Sequence, residues 1–153
     1  MKITIGAIGR ARGGPEAVLL ENFKKRITAW PVRVREFELR RKVAADRISD
    51  LEGELLLSAV PDGAHVVVLD ETGKLTTSAG LAKNMVDLQD QGYRNLVFLI
   101  GGANGHADAV RARANRITAF GRNTWPHLLM RALLVEQIYR AQQIIARHPY
   151  HRP

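Results

Sequence analysis

Four short stretches of the sequence carry residue types able to do chemistry. One is the terminal run Arg147-His148-Pro149-Tyr150-His151-Arg152-Pro153, which gathers two imidazoles, a phenol and two guanidiniums. Such side chains stack on bases, hold phosphate or move a proton near neutral pH, and a merely frayed end has no need of them. Two histidines three apart also suit a metal, but the chain has no cysteine and no evident carboxylate partner there, so no metal is expected. Another is Phe120-Gly121-Arg122-Asn123-Thr124-Trp125-Pro126-His127, where Gly121 and Asn123 tolerate left-handed backbone and a long helix begins with free N–H groups. An ordinary helix cap fits it equally, and Trp125 suits a core, a stacking platform or an interface.

The other two stretches end apolar runs. Leu99-Ile100-Gly101-Gly102-Ala103-Asn104-Gly105 leads from a strand through three glycines toward a helix, the place where open α/β sheets bind ligands. Its glycine spacing matches neither the dinucleotide fingerprint nor the P-loop, and a tightly packed turn explains it as well as a ligand loop. Leu69-Asp70-Glu71-Thr72-Gly73-Lys74 ends another buried strand with acidic residues. Asp70 or Glu71 could take a ribose hydroxyl, an ammonium group or magnesium, or simply cap a polar turn.

Elements that position these stretches follow from periodicity. Ile3 to Gly9 reads as a strand, and Pro15 opens a helix to about Thr28 with Val18, Leu19, Phe23 and Ile27 on one face. Val32, Val34 and Phe37 mark a half-exposed strand, and a helix follows to about Ala59 before the turn Pro61-Asp62-Gly63. His65–Asp70 and Asn95–Gly102 are continuous apolar runs, as in parallel strands covered on both faces. Ser78 is placed to cap a helix carrying Leu81, Met85 and Leu88; a short helix spans Ala107, Val110 and Ala114; a short strand runs from Arg116 to Phe120. Thr124-Trp125-Pro126 then opens the longest helix, apolar most of the way round. The alternation predicts one α/β domain over residues 1–153 with a mostly parallel sheet flanked by helices.

Composition narrows the function classes. At 153 residues, with 46% hydrophobic and 25% charged residues, the chain has the make-up of one globular domain, not of a disordered or fibrous protein. Without cysteine it can hold no disulfide, thiolate zinc site or iron–sulfur cluster, and a cytoplasmic home is expected. The apolar stretch after Met1 is too short for a signal peptide, and no run suits a membrane span. Net charge is +8 but segregated: +7 over residues 1–47, −6 over 48–110 and +7 over 111–153, where all eight cations are arginines. Arginine forks suit phosphate and base stacking, so a polyanionic partner is expected at the two ends; a solvated basic surface is the plainer explanation.

Taken together, Leu69-Asp70 with Gly73-Lys74, Phe98-Leu99-Ile100-Gly101-Gly102 with Gly105, Thr124-Trp125-Pro126-His127, Arg131, Glu136-Gln137-Ile138-Tyr139-Arg140-Ala141 and His148-Pro149-Tyr150-His151-Arg152 closely resemble the ribosomal RNA large subunit methyltransferase H family over the whole chain. The resemblance implies a SPOUT-type α/β knot, with a C-terminal trefoil knot that connection rules alone would argue against. It implies a homodimer, S-adenosyl-L-methionine as methyl donor, and methylation of N3 of pseudouridine 1915 in helix 69 of 23S rRNA on the assembled ribosome.

Carried over by position, the cofactor site would involve Leu69, Gly102 and the loop Gly121, Arg122, Asn123, Thr124, Trp125 and Pro126. Asn123 departs from the family pattern, which leads one to expect methionine or another apolar residue, and makes an adenine pocket more polar there. For the chemistry, His127 and His151 are candidates to take the N3 proton, Arg152 to stabilise the anionic base, and Tyr150 to stack on it or orient it. The rival from another class is a non-catalytic ribosome- or RNA-binding module that clamps with its arginine-rich ends. A small Rossmann-like nucleotide enzyme lacks its glycine fingerprint.

Overall fold

In the computed structural model, which describes residues 1–150, five parallel strands lie in the order β2-β1-β4-β3-β5. They are β1 (Lys2–Ile8), β2 (Val32–Phe37), β3 (His65–Leu75), β4 (Asn95–Ile100) and β5 (Arg116–Ala119). The helices are α1 (Pro15–Arg26), α2 (Ala45–Leu57), α3 (Ser78–Asp90), α4 (Asp108–Arg113) and α5 (His127–Ile145). The continuous apolar runs in β3 and β4 follow from burial on both faces. Val67, Leu69, Leu96, Phe98 and Ile100 meet the layer of α1, α3 and α5, while Val66, Val68, Val97 and Leu99 meet α2 and α4. The expected parallel sheet between helical layers is therefore present, and every strand pair is parallel.

Three local expectations are corrected. In α1 the buried face is that of Leu20, with Phe23 and Ile27 packed beside it, whereas Val18 is 69% and Leu19 39% exposed. The apolar stripe is rotated because the helix lies against α5 through its Leu20 side. The cap of α3 is Thr77, not Ser78: the Thr77 hydroxyl accepts from Gly80 N–H, and Ser78 instead donates to Gln137 of α5 at 2.7 Å.

The third correction is β3, which does not end at Asp70. It runs on to Leu75 around an irregularity in which Thr118 of β5 pairs first with Leu69 and again with Lys74. Residues 70–73 thus bulge from the carboxyl edge of the sheet. Only glycine fits at position 73, since a Cβ there would lie 2.6 Å from the Thr118 backbone nitrogen.

Helix α5 closes the structure and ends in a hydrogen-bonded reversal. His148 N–H donates to Gln143 C=O and Arg147 N–H to Ile144 C=O, with Arg147 in left-handed backbone at φ 53°. The chain thereby doubles back along α5, which determines where Tyr150 goes.

Candidate functional site

A cavity of about 680 Å³ opens at the carboxyl edge of the sheet, within the size range of small-molecule and cofactor sites. Its walls come from the end of β3, the glycine loop after β4, the end of β5 with the following loop, and the start of α5. The sequence candidates Leu69, Gly102, Gly121, Asn123, Thr124, Trp125, Pro126 and His127 all line it. Arg122 does not: its guanidinium donates to Glu71 C=O at 2.7 Å and Gly73 C=O at 3.2 Å. Thr124 donates to the Glu71 carboxylate at 2.9 Å. The loop before α5 is thus fastened onto the β3 bulge, and two stretches singled out separately in the sequence form one wall.

Trp125 donates its indole N–H to Phe120 C=O at 3.2 Å, and the residue is 39% exposed beside the cavity. Asp70, weighed above as a ligand for ribose or metal, is already engaged. Its carboxylate pairs with Arg111 of α4 at 2.6 Å and accepts from Thr72 N–H at 2.9 Å. Burial pushes the Asp70 pKa upward, but the Thr72 bonds, Arg111 and His106 outweigh it and hold the group below its ordinary value. Among the described residues no group of three or more histidine, aspartate or glutamate side chains could hold a metal.

The glycine loop folds back on itself. Gly102 and Gly105 form an isolated bridge, and a Cβ on Gly101 would lie 2.9 Å from Gly105 C=O. A Cβ on Gly102 would come within 2.8 Å of the Glu52 carboxylate and 3.0 Å of Ile8. Backbone, not side chain, therefore faces the cavity there. Glu52 lies behind this loop with one carboxylate oxygen buried and unpartnered, and burial raises its pKa.

His127 begins α5 and lies beside the end of β1, where a Cβ on Gly9 would be 3.2 Å from its Nε2. Burial, then the nearby Arg131 guanidinium, lowers its pKa, so the imidazole is neutral at pH 7 and able to accept a proton. Arg131, one turn further, is fully buried. It donates to Ile8 C=O, to Gly9 C=O at 2.9 Å, and to Glu36 at 2.6 Å. Glu36 also accepts from Ala11 N–H at 3.2 Å, so the clamp fixes the start of the Arg10–Gly14 loop beside His127.

The sequence reading missed two residues here. Arg131 entered only as part of a family pattern, and its burial cannot be read from a cation on a helix. His106, next to the last loop glycine, lines the cavity with its Nε2 3.0 Å from Leu69 C=O. Its position directly after the glycine stretch was the available signal.

The tail candidates divide. Tyr150 does not line the cavity: its hydroxyl donates to Glu136 at 3.1 Å and its ring packs edge-on to Tyr139 at 4.9 Å. Arg26 and Arg140 lie over the same ring at 5.5 and 4.9 Å. His151 and Arg152 lie outside the described residues. Several cations of the basic ends are also occupied within the fold: Arg131 is buried, and Arg111 and Arg140 are ion-paired. Arg10 and Arg12 pair at the surface with Glu38, at 3.9 and 3.2 Å, and Arg40, Arg41 and Lys42 are exposed as well. No helix among the described residues is long and apolar enough to cross a membrane.

Comparison with known proteins gives a consistent answer. A family model described as predicted SPOUT methyltransferase matches residues 1–151. A protein of Rhodospirillum centenum named ribosomal RNA large subunit methyltransferase H is 48% identical over 152 residues, covering 99% of both chains. A protein of Paramagnetospirillum magneticum with the same name is 47% identical over 153 residues, covering 100% of both. Among solved structures, a probable methylase family protein from Haemophilus influenzae is similar in fold, with a TM-score of 0.57 at 12% identity, over 95% of this chain and 66% of that one.

Proposed function

The chain belongs to the SPOUT methyltransferases, in the ribosomal RNA large subunit methyltransferase H family, and from that premise we propose that it methylates 23S ribosomal RNA. Carrying this reading is the convergence of Leu69, Gly102, the 121–126 loop and His127 on one cavity. We extend the proposal to S-adenosyl-L-methionine as methyl donor, N3 of pseudouridine 1915 in helix 69 as acceptor, and the assembled ribosome as the form of the substrate.

The cavity fits such a donor. Its volume is adequate, Leu69, Ile100, Phe120 and Pro126 supply apolar walls, and the backbone of the glycine loop offers unscreened polar groups. When bound, the donor would supply an activated methyl group. Leu69, Gly102 and Gly121 to Pro126 would hold it, with Arg122 acting through the bulge it fastens. The protein's task is mainly alignment, which holding both reactants in one geometry provides. His127, neutral and next to both the cavity and the Gly9 turn, takes the N3 proton of the base.

His151, Arg152 and Tyr150 stay in the proposal: His151 as the alternative acceptor of the N3 proton, Arg152 to stabilise the anionic base, and Tyr150 to stack on that base or orient it. Since Tyr150 packs on Tyr139 and away from its own chain's cavity, we read the working form as a homodimer in which the tail serves the second copy. The Arg10–Gly14 loop, whose start is fixed next to the Gly9 turn near His127, carries two exposed arginines, and the RNA backbone would approach there. The trefoil knot and a cytoplasmic location belong to the same reading.

The deciding experiment supplies labelled S-adenosylmethionine and ribosomes from a strain lacking the gene, then maps the methyl by mass spectrometry of 23S rRNA. One methyl at pseudouridine 1915 is expected. Ribosome binding without saturable heat from S-adenosylmethionine would instead identify a non-catalytic binding module.

A further inference from the structure

The His106 imidazole is nine-tenths buried at the cavity edge, and none of the roles above uses it. It occupies an unusual place. Leu69 pairs with Ile100, the last registered pair of β3 and β4, so the next parallel ladder bond would run from Gly101 N–H to Leu69 C=O. His106 Nε2 stands between them, 3.0 Å from the Leu69 oxygen and accepting from Gly101 N–H at 3.2 Å.

One nitrogen of a neutral imidazole is a donor or an acceptor, never both. With the proton on Nε2 the ring satisfies Leu69 C=O and abandons Gly101 N–H. With the proton on Nδ1 it satisfies Gly101 N–H and abandons Leu69 C=O. Nδ1 is buried without a partner. Leu69 and Gly101 both line the cavity, so the abandoned group is available to a ligand there.

Resting on the reading of this cavity as the methyl-donor site, we propose that His106 is a positioning residue whose tautomer the bound donor sets. The donor bonds one of the two backbone groups and the imidazole takes the other. A molecule offering no polar group at this edge leaves one backbone group unsatisfied and binds less well, so His106 helps to select the ligand. Protonation defeats the device, because Nε2 of the imidazolium cannot accept from Gly101 and a cation then stands at the cavity wall.

The surrounding charges come from several elements: Asp70 on β3, Arg111 on α4, Glu52 on α2 behind Gly102, and His127 on α5 across the cavity. Burial keeps His106 neutral with help from Arg111, against the opposing pull of Leu69 C=O and Asp70.

The test pairs calorimetry with 15N NMR on histidine-labelled protein, with and without S-adenosylmethionine. On binding, the two His106 nitrogen signals should move to those of one fixed tautomer. Once acidification below about pH 6.5 protonates the imidazole, wild-type affinity should fall by up to about tenfold more than that of His106→Gln. The glutamine amide carries both a donor and an acceptor and does not titrate, while any contribution of His127 is common to both proteins. His106 signals indifferent to the donor, or a glutamine variant with the wild-type pH profile, would overturn the inference while leaving the donor site standing. Absence of saturable heat with the wild type would overturn the donor site itself, and the inference with it. If His106→Gln does not fold, the NMR response of the wild type, assigned through bonds, decides alone.

Discussion

Replacing Arg131 by methionine keeps an unbranched apolar stem in the same space and removes only the guanidinium. That change strips a donor from Ile8 C=O, from Gly9 C=O and from Glu36. Ile8 is 5% exposed, so water has little access to its carbonyl, and a buried group left unpaired costs about 1–3 kcal/mol. Glu36 suffers less, being 28% exposed and still accepting from Ala11 N–H. Removing one partner of a buried ion pair typically costs about 3–5 kcal/mol, and the same range is expected here. Against a typical domain stability of about 5–15 kcal/mol, this is a large fraction. Urea unfolding should show the midpoint falling with an unchanged slope, and thermal melts should drop by about 6–20 °C. Arg131→Lys should recover only part of the loss, because an ammonium cannot fork between two carbonyls and a carboxylate. A loss under about 1 kcal/mol for Arg131→Met would refute the clamp as a stabilising element.

Gly73→Ala should destabilise the protein by about 1–3 kcal/mol in urea unfolding, since the added Cβ meets the Thr118 backbone at 2.6 Å. Arg147→Gly should raise stability by about 0.5–1 kcal/mol in the same assay, because glycine takes the left-handed turn at φ 53° without strain. His65, His106 and His127 all have pKa values lowered first by burial, below the roughly 6.5 of an unfolded chain. Their contribution to stability is therefore complete above about pH 6.5 and lost as pH falls through their folded values. A urea midpoint that rises on acidification from about pH 7 to pH 5 would contradict this. Raising salt should weaken ribosome binding far more than donor binding, and equal salt dependence in calorimetry and sedimentation would remove the basic ends as the RNA contact.

Much of this architecture is legible in the amino-acid order because its causes are local. The apolar runs Val66–Leu69 and Leu96–Ile100 announce strands covered on both faces, and both helical layers are there. Pro15 and Pro126 sit where the first and last helices begin. The site was legible in parts: the 121–126 loop, Leu69 and Gly102 are recognisable singly, but their meeting depends on strand order. What escaped has partners far along the chain. Arg131 is buried because Ile8, Gly9 and Glu36, roughly 95 to 123 residues away, receive its forks. Val18 and Leu19 are apolar yet exposed, because the α5 contact favours Leu20. The bulge at residues 70–73 arises where β5 pairs with β3 twice over, a register no periodicity encodes.

The central place of β4 also bears on how the chain reaches its native state. β1 pairs with β4 from Lys2↔Asn95 onward, and β3 has β4 as one neighbour and β5 as the other. During synthesis, the N-terminal pair β1 and β2 and the solitary β3 have no edge in common until residues 95–100 leave the ribosome. β4 is then the strand that joins them, inserting between two edges already present, and in the complete fold all but its first residue are buried. Non-local pairing of this kind folds slowly and late. The protein should therefore gain protease resistance abruptly as chain length passes that strand, with little order in shorter nascent chains.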